Sequence, residues 1–259
     1  MRVIDLYKNA LTQERLTQLK ITNETIDPIE VKIQDISTKR EILGQTIGGI
    51  IPYIFVIFAF MGCIYPAIDL FTNEKEKGTL ETILASPAGR LEILFAKMSV
   101  VACIGFSSAL LSIVGLSFGL HNLTNTLPPE VMQTMFSFIR PENILMMLSM
   151  LLPLTVFFAS ALTLVTTYAK SYKEAQSIIT PVTFLVILPA VVGIMPGITL
   201  NLKTAIIPVT NISLATKEII GGTINPLLFI LVLVSLLIYA ALGVFASSLW
   251  FSKESNIVK

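Results

Sequence analysis

Between Asp69 and Lys97 the chain sets five acids, Asp69, Glu74, Glu76, Glu81 and Glu92, among four bases, Lys75, Lys77, Arg90 and Lys97. They lie on the run D-L-F-T-N-E-K-E-K-G-T-L-E-T-I-L-A-S-P-A-G-R and just beyond it, between two long apolar stretches. A loop that only fixed orientation in a bilayer would need the bases alone. Acids beside an anionic leaflet cost electrostatic free energy unless another protein receives them. These residue types therefore suit charge-complementary docking, set against the alternative of a solvated charged loop. Asp69, at the end of the first apolar stretch, suits an inner gate, a pairing with Lys75, Lys77 or Arg90, or simple exposure to water.

Other chemistries find no residues to carry them. No G-x-x-x-x-G-K-[ST] phosphate loop occurs, so ATP hydrolysis belongs to a partner. The single histidine, His121, has no Cys, Asp or Glu cluster near it, which excludes zinc-hydrolase spacing and leaves it an ordinary loop residue. Ser107, Ser108, Ser160, Thr163, Thr166 and Thr167 share no depth with a His or Lys base, so they read as helix contacts. No carboxylate falls near the middle of an apolar stretch, where an ion relay would place one. Cys63 and Cys103 fall inside apolar runs and behave as small hydrophobes. A formal charge of +1 with no basic stripe argues against nucleic acid. The chain is expected to bind no cofactor or metal and to catalyse nothing itself.

The elements that would position the charged loop are membrane helices. Of 259 residues, 54% are hydrophobic and 14% charged, with a mean hydropathy of +0.79, outside the range of soluble domains. Five stretches are long and apolar enough for a core of roughly 30 Å: about 46–68, 97–119, 144–168, 176–195 and 226–250. In the first, Ile50, Ile51, Ile54, Phe55, Val56, Ile57, Phe58 and Phe60 contribute about −2 to −5 kcal/mol to insertion. The fourth carries Pro181 and Pro189, tolerated as kinks packed against neighbours. Lys75, Lys77, Arg90, Lys97, Lys170, Lys173, Lys253 and Lys259 then face the cytoplasm by the positive-inside rule, with Trp250 and Phe251 as an interfacial anchor. Residues 1–45 fall outside, against the rule, since they hold seven Lys and Arg. There Leu6–Leu19 reads as an amphipathic helix, and Ile29, Val31 and Ile33 alternate with polar residues as in a strand. A lone strand cannot bury its apolar face, so 1–45 is expected to be the tail of a larger extracytoplasmic domain preceded by another span.

The fold class expected is thus an all-α polytopic membrane protein of five spans, with a small α/β remnant at residues 1–45, a permease domain at 46–250 and a cytoplasmic tail at 251–259. Inside the charged loop, Asn73 with Glu76 has capping-box spacing, and Gly78 should break the helix. Leu80, Ile83 and Leu84 then fall on one face of a short helix along the membrane, and Ser86-Pro87 should cap the next one. Residues 198–225 are too polar to span and predict an interfacial or re-entrant helix. That helix would be either an outer gate, with Asn211, Lys217 and Glu218 facing the exit, or an amphipathic plug at the headgroups.

The run Y-P-A-I-D-L, followed by N-E-K-E-K-G-T-L-E-T-I-L-A-S-P-A-G-R-L-E-I-L-F-A-K, resembles the signature of NatB-like membrane subunits of ATP-binding-cassette exporters of the ABC-2 type. A second stretch, I-P-V-T-N-I-S-L-A-T-K-E-I-I-G-G, resembles the extracytoplasmic segment before their last span. The resemblance implies a multi-pass plasma-membrane permease subunit, exporting sodium or a small amphipathic compound. It implies that Glu74, Glu76, Gly78, Thr79, Leu80, Glu81, Ser86, Pro87 and Arg90 form a coupling helix on a separate ATPase subunit. ATP and Mg would be held by that partner, and a second membrane subunit would complete a homo- or heterodimer. Family members usually have six spans and a large outer domain between the first two, so the five here imply an N-terminally truncated chain. The rivals are an ATP-independent secondary transporter, which would carry membrane acids and repeat symmetry, and a scaffold or sensor whose inner loop recruits a partner.

Overall fold

A computed structural model of the chain describes residues 39–84, 86–122, 136, 140–195 and 197–252. Every regular element among them is helical, and no strand occurs among the described residues. The helix and strand expected within Leu6–Leu19 and Ile29–Ile33 lie outside the described residues.

Among the described residues, five helices are long and apolar enough to cross a membrane. They are α1 (Lys39–Ala67), α4 (Arg90–Asn122), α5 (Pro141–Tyr168), α6 (Tyr172–Val191) and α8 (Pro226–Phe251). Three shorter helices join them: α2 (Glu74–Glu76), α3 (Thr79–Leu84) and α7 (Thr210–Gly221). The shortest span candidate, Tyr172–Ile194, has 23 residues. At 1.5 Å per residue that is about 35 Å, enough for the hydrocarbon core. The first described helix runs from Lys39 to Ala67, and the span candidate it carries begins at Gly48.

Side-chain contacts show that the spans alternate in direction. The first turns of α1 lie near α7, where a Cβ on Gly48 would touch Lys217. Its far end lies near the close of α5, where Thr72 Oγ1 donates to Thr166 O. α4 starts at that same end, since Lys97 reaches Leu70 O. α6 also starts there and runs back until Ala190 O receives Ser213 of α7. α8 returns, placing Phe251 edge-on to Phe71 at 6.5 Å between centroids.

α1 and α5 form the centre: half of each apolar window is buried, against 22% for α4, α6 and α8. Phe60 of α1 meets Phe158 of α5 edge-to-face at 5.1 Å. The outer helices turn Leu111, Val114, Phe118, Leu185, Leu188 and Leu242 outward, which a lipid surround stabilises and water would not. Where α1 crosses α4, Gly105 approaches so closely that a Cβ there would collide with Cys63 Sγ. Small residues let membrane helices pack backbone against backbone in this way.

Candidate functional site

The charged loop sits at the end where α1, α4, α5, α6 and α8 converge. α1 does not stop at Ala67: it loosens into a π-turn, Ile68–Asn73, and continues as α2. A π-turn is a rare geometry often found at functional positions. The expected capping box at Asn73 does not form. Asn73 has helical dihedrals (φ −67°, ψ −37°), and its Nδ2 donates 2.8 Å to Asp69 Oδ1 one turn earlier. No helix starts there, because α2 is the continuation of the first span. Asp69 spends one carboxylate oxygen on Asn73.

The loop divides into an anchored half and an exposed half. In the anchored half, buried Thr72 Oγ1 donates 2.8 Å to Thr166 O, and Lys75 Nζ donates 3.0 Å to Thr167 O. Glu76 Oε2 accepts 2.7 Å from Tyr172 N. Glu74 pairs with Lys97 of α4, whose ammonium also donates 2.7 Å to Leu70 O and lies 5.5 Å from the Phe71 ring centre. Each neutral hydrogen bond contributes about 1 kcal/mol net, and those to charged groups about 1.5–3 kcal/mol.

Exposure begins at Glu76, whose carboxylate is nonetheless bonded to Tyr172 N, and continues from Lys77 without such a tie. Gly78 has φ +71° with open space around it, so the break expected at this residue is the one found, in a conformation that disfavours a side chain. Thr79, Thr82 and residues 86–91 are exposed. Leu80 and Glu81 lend backbone to α3, but their side chains lie outside the described residues. Ser86 and Pro87 do not cap α4: the helix starts at Arg90, and Glu92 Oε2 accepts 3.0 Å from Gly89 N. The carboxylate that reaches back to the first free amide sets the start, three residues later than the Ser-Pro pair suggested.

Of the nine residues expected to couple to a partner, Glu74 and Glu76 are thus engaged within the chain, while Gly78, Thr79, Ser86, Pro87 and Arg90 lie on the exposed elbow. The residues missed were Thr72, Lys97, Thr166, Thr167 and Tyr172. A signal existed for one of them. Lys97 stands two turns inside α4, which carries no Asp, Glu, Lys or Arg beyond it, and an ionisable residue at such depth calls for a partner.

At the opposite end, α7 lies within the segment expected to form a helix that does not span, and it packs into the bundle: Thr210–Thr216 are all buried, as are Ile219 and Ile220. Its hydroxyls serve the last turn of α6, where carbonyls lack intrahelical donors. Ser213 Oγ donates 2.8 Å to Ala190 O, and Thr210 Oγ1 donates 3.4 Å to Pro189 O. Asn211, expected to face an exit, is 0% exposed and donates 2.9 Å to Ser235 Oγ of α8 and 3.3 Å to Ala205 O. Lys217 Nζ donates 3.0 Å to Met195 O, and Glu218 Oε1 accepts 2.7 Å from Leu200 N. Burial raises the Glu218 carboxyl above its ordinary 4.5, opposed by the Leu200 amide and the Lys217 charge. Burial lowers Lys217, opposed by Glu218. No group of His, Cys, Asp and Glu able to hold a metal occurs among the described residues. His121 gives helical backbone at the close of α4, and its side chain lies outside the described residues.

The sequence that folds this way has known relatives. The chain is 26% identical over 228 residues to the ABC transporter permease protein NatB of Bacillus subtilis (strain 168), a match covering 86% of this chain. It spans 57% of the length of that relative. No solved structure matches it. The family described as "ABC-2 family transporter protein" matches residues 2–249, nearly the whole sequence, and the chain therefore belongs to the ABC-2 transporter family.

Proposed function

We propose that the chain is the membrane-spanning permease subunit of an ATP-binding-cassette exporter, driven by a separate ATPase that docks on the elbow from Lys77 to Arg90 at the cytoplasmic face. A second membrane subunit, a like copy or a related chain, completes the pathway in the plasma membrane, and ATP and Mg bind the ATPase alone. The observation that carries this reading is the division of the loop: an exposed, charged elbow attached to a helix end that is bonded to the bundle. A solvated orientation loop has no use for that anchoring.

The cargo we favour is sodium, with a small amphipathic compound as the other option; both rest on the resemblance to NatB-like exporters. Buried polar groups in the described spans and α7 are hydroxyls, one amide and Lys97, with no buried carboxylate. A cation crossing here would be bound by hydroxyl and carbonyl oxygens, which suit a hard cation.

The test is reconstitution of the chain and its ATPase in inside-out vesicles, followed by ATP-driven uptake of radiolabelled sodium. Glu81→Lys is expected to weaken ATPase docking by about tenfold, equivalent to ~1.4 kcal/mol, and to abolish uptake while insertion is retained. Unchanged docking and uptake in that variant would remove the elbow as the coupling surface.

A further inference from the structure

Lys75 and Glu76 are placed where opposite charges are wanted. α5 ends at Tyr168 and α6 begins at Tyr172, so the two helix ends lie side by side across a three-residue turn. The last carbonyls of α5 form a negative pole and the first amides of α6 a positive one. Part of this need is met locally: Ser171 Oγ accepts from Glu174 N at 3.3 Å, and Glu174 Oε2 accepts from Lys170 N at 2.8 Å. Groups from the first span's extension complete it. Thr72 and Lys75 donate to the carbonyls of Thr166 and Thr167, and Glu76 takes the amide of Tyr172, the first residue of α6. These bonds join segments 94, 92 and 96 residues apart in sequence. The order Lys-Glu matches the order carbonyl end, amide end. Past these ties, Gly78 at φ +71° gives α3 a separate joint.

We propose that Thr72, Lys75 and Glu76 are transmission residues rather than ATPase contacts, locking the end of the first span to the α5–α6 turn. A push on the elbow, on the reading given above, then moves α1, α5 and α6 as one body, with Lys97 carrying the start of α4 along. The bend occurs at Gly78. The third and fourth spans thus ride with the first.

The experiment uses the full chain with spin labels at Tyr65 on α1 and Lys173 on α6, both exposed, outside the docking elbow and connected through the tie. The chain is held in nanodiscs with its ATPase, and the distance is read nucleotide-free and after trapping with ATP and vanadate. Wild type should give one narrow distance that trapping does not shift. The charge swap Lys75→Glu/Glu76→Lys preserves the elbow's net charge, so it should bind the ATPase as wild type does, yet give a broad distance distribution. Glu76→Gln keeps an acceptor oxygen for Tyr172 N and should remain narrow. A wild-type distance that shifts on trapping, or a charge swap that stays narrow, overturns the proposal. So does loss of ATPase binding in the swap, which would return these residues to the docking surface. Should wild type bind no ATPase, the proposed function fails and the push with it, whereas the nucleotide-free comparison of wild type and swap still decides the tie.

Discussion

Lys97 and Glu74 form a charge pair at the end of the bundle that carries the elbow. Lys97 is buried, bonded to Glu74 and Leu70 O, and set over the Phe71 ring. Removing one partner of such a pair leaves the other desolvated without compensation, while removing both can be nearly neutral. Lys97→Met should therefore lower stability by about 1–3 kcal/mol. The double variant Lys97→Met/Glu74→Gln should recover most of that loss, as measured by thermal unfolding in detergent. Equal losses in both would show that the packing of the lysine stem, not the charge, is what matters. Glu218 gives the converse case with a pH signature. Its folded-state pKa is raised by burial, so its charged form destabilises the native state above that pKa, and the penalty disappears as pH falls toward the ordinary 4.5. Glu218→Gln keeps an oxygen for Leu200 N and removes the charge. It should be more stable than wild type near pH 8, with the advantage shrinking as the pH is lowered into the window above 4.5. Glu218→Ala also removes the charge but orphans the Leu200 amide, so it should be less stable than Glu218→Gln by about 1–3 kcal/mol at every pH. Melting curves of the three proteins across that range check both signs.

At the scale of elements, what local chemistry dictates was legible and what distant partners dictate was not. The five spans follow from apolar length alone, and the break at Gly78 from the one residue type that accepts φ +71° without strain. The capping box at Asn73 failed because spacing cannot tell a helix start from a helix that continues through a π-turn; here Asp69, four residues back, takes the amide. α7 falls where an interfacial or re-entrant helix was expected, but the inward packing of its polar residues was not legible. Their partners are carbonyls of Pro189, Ala190 and Ala205 and the hydroxyl of Ser235, none adjacent in sequence. Likewise the division of the charged loop was invisible, since Thr166, Thr167 and Tyr172 lie more than ninety residues from the groups they bind. The α1–α4 crossing makes a prediction at this scale. Gly105 admits α1 to backbone contact, and a side chain there would drive into Cys63 Sγ and crowd Ala59 O at 3.0 Å. Gly105→Val should force the helices apart and cost about 1–3 kcal/mol, seen as a lower unfolding temperature. A matching Gly115→Val, at a position with open space around it, should cost little. Similar losses at both sites would point to glycine's effect on the helix itself rather than to the crossing.

For the whole molecule, the alternation of five spans puts the elbow at one end of the bundle, and Arg140 and Lys203 at the other. A protease on one side of a membrane therefore reads the orientation directly. Lys77 is exposed in a turn beside open backbone at Gly78, whereas Lys75 is held against Thr167 O and Lys97 is buried. Cleavage requires a segment that can leave its hydrogen bonds, so among the loop bases the turn at Lys77 opens first. If the elbow is cytoplasmic, trypsin added to inside-out vesicles should cut after Lys77 well before Lys75, and right-side-out vesicles should be spared there. In right-side-out vesicles exposed Lys203 should be cut instead, with Lys217 slower because Met195 O and the surrounding helices hold it. Bound ATPase should protect Lys77 in inside-out vesicles, since the docking surface proposed begins at that residue. Cleavage at Lys77 from the right-side-out face would place the elbow outside, where no nucleotide-driven subunit can reach it, and would remove the basis of ATP-driven transport by this chain.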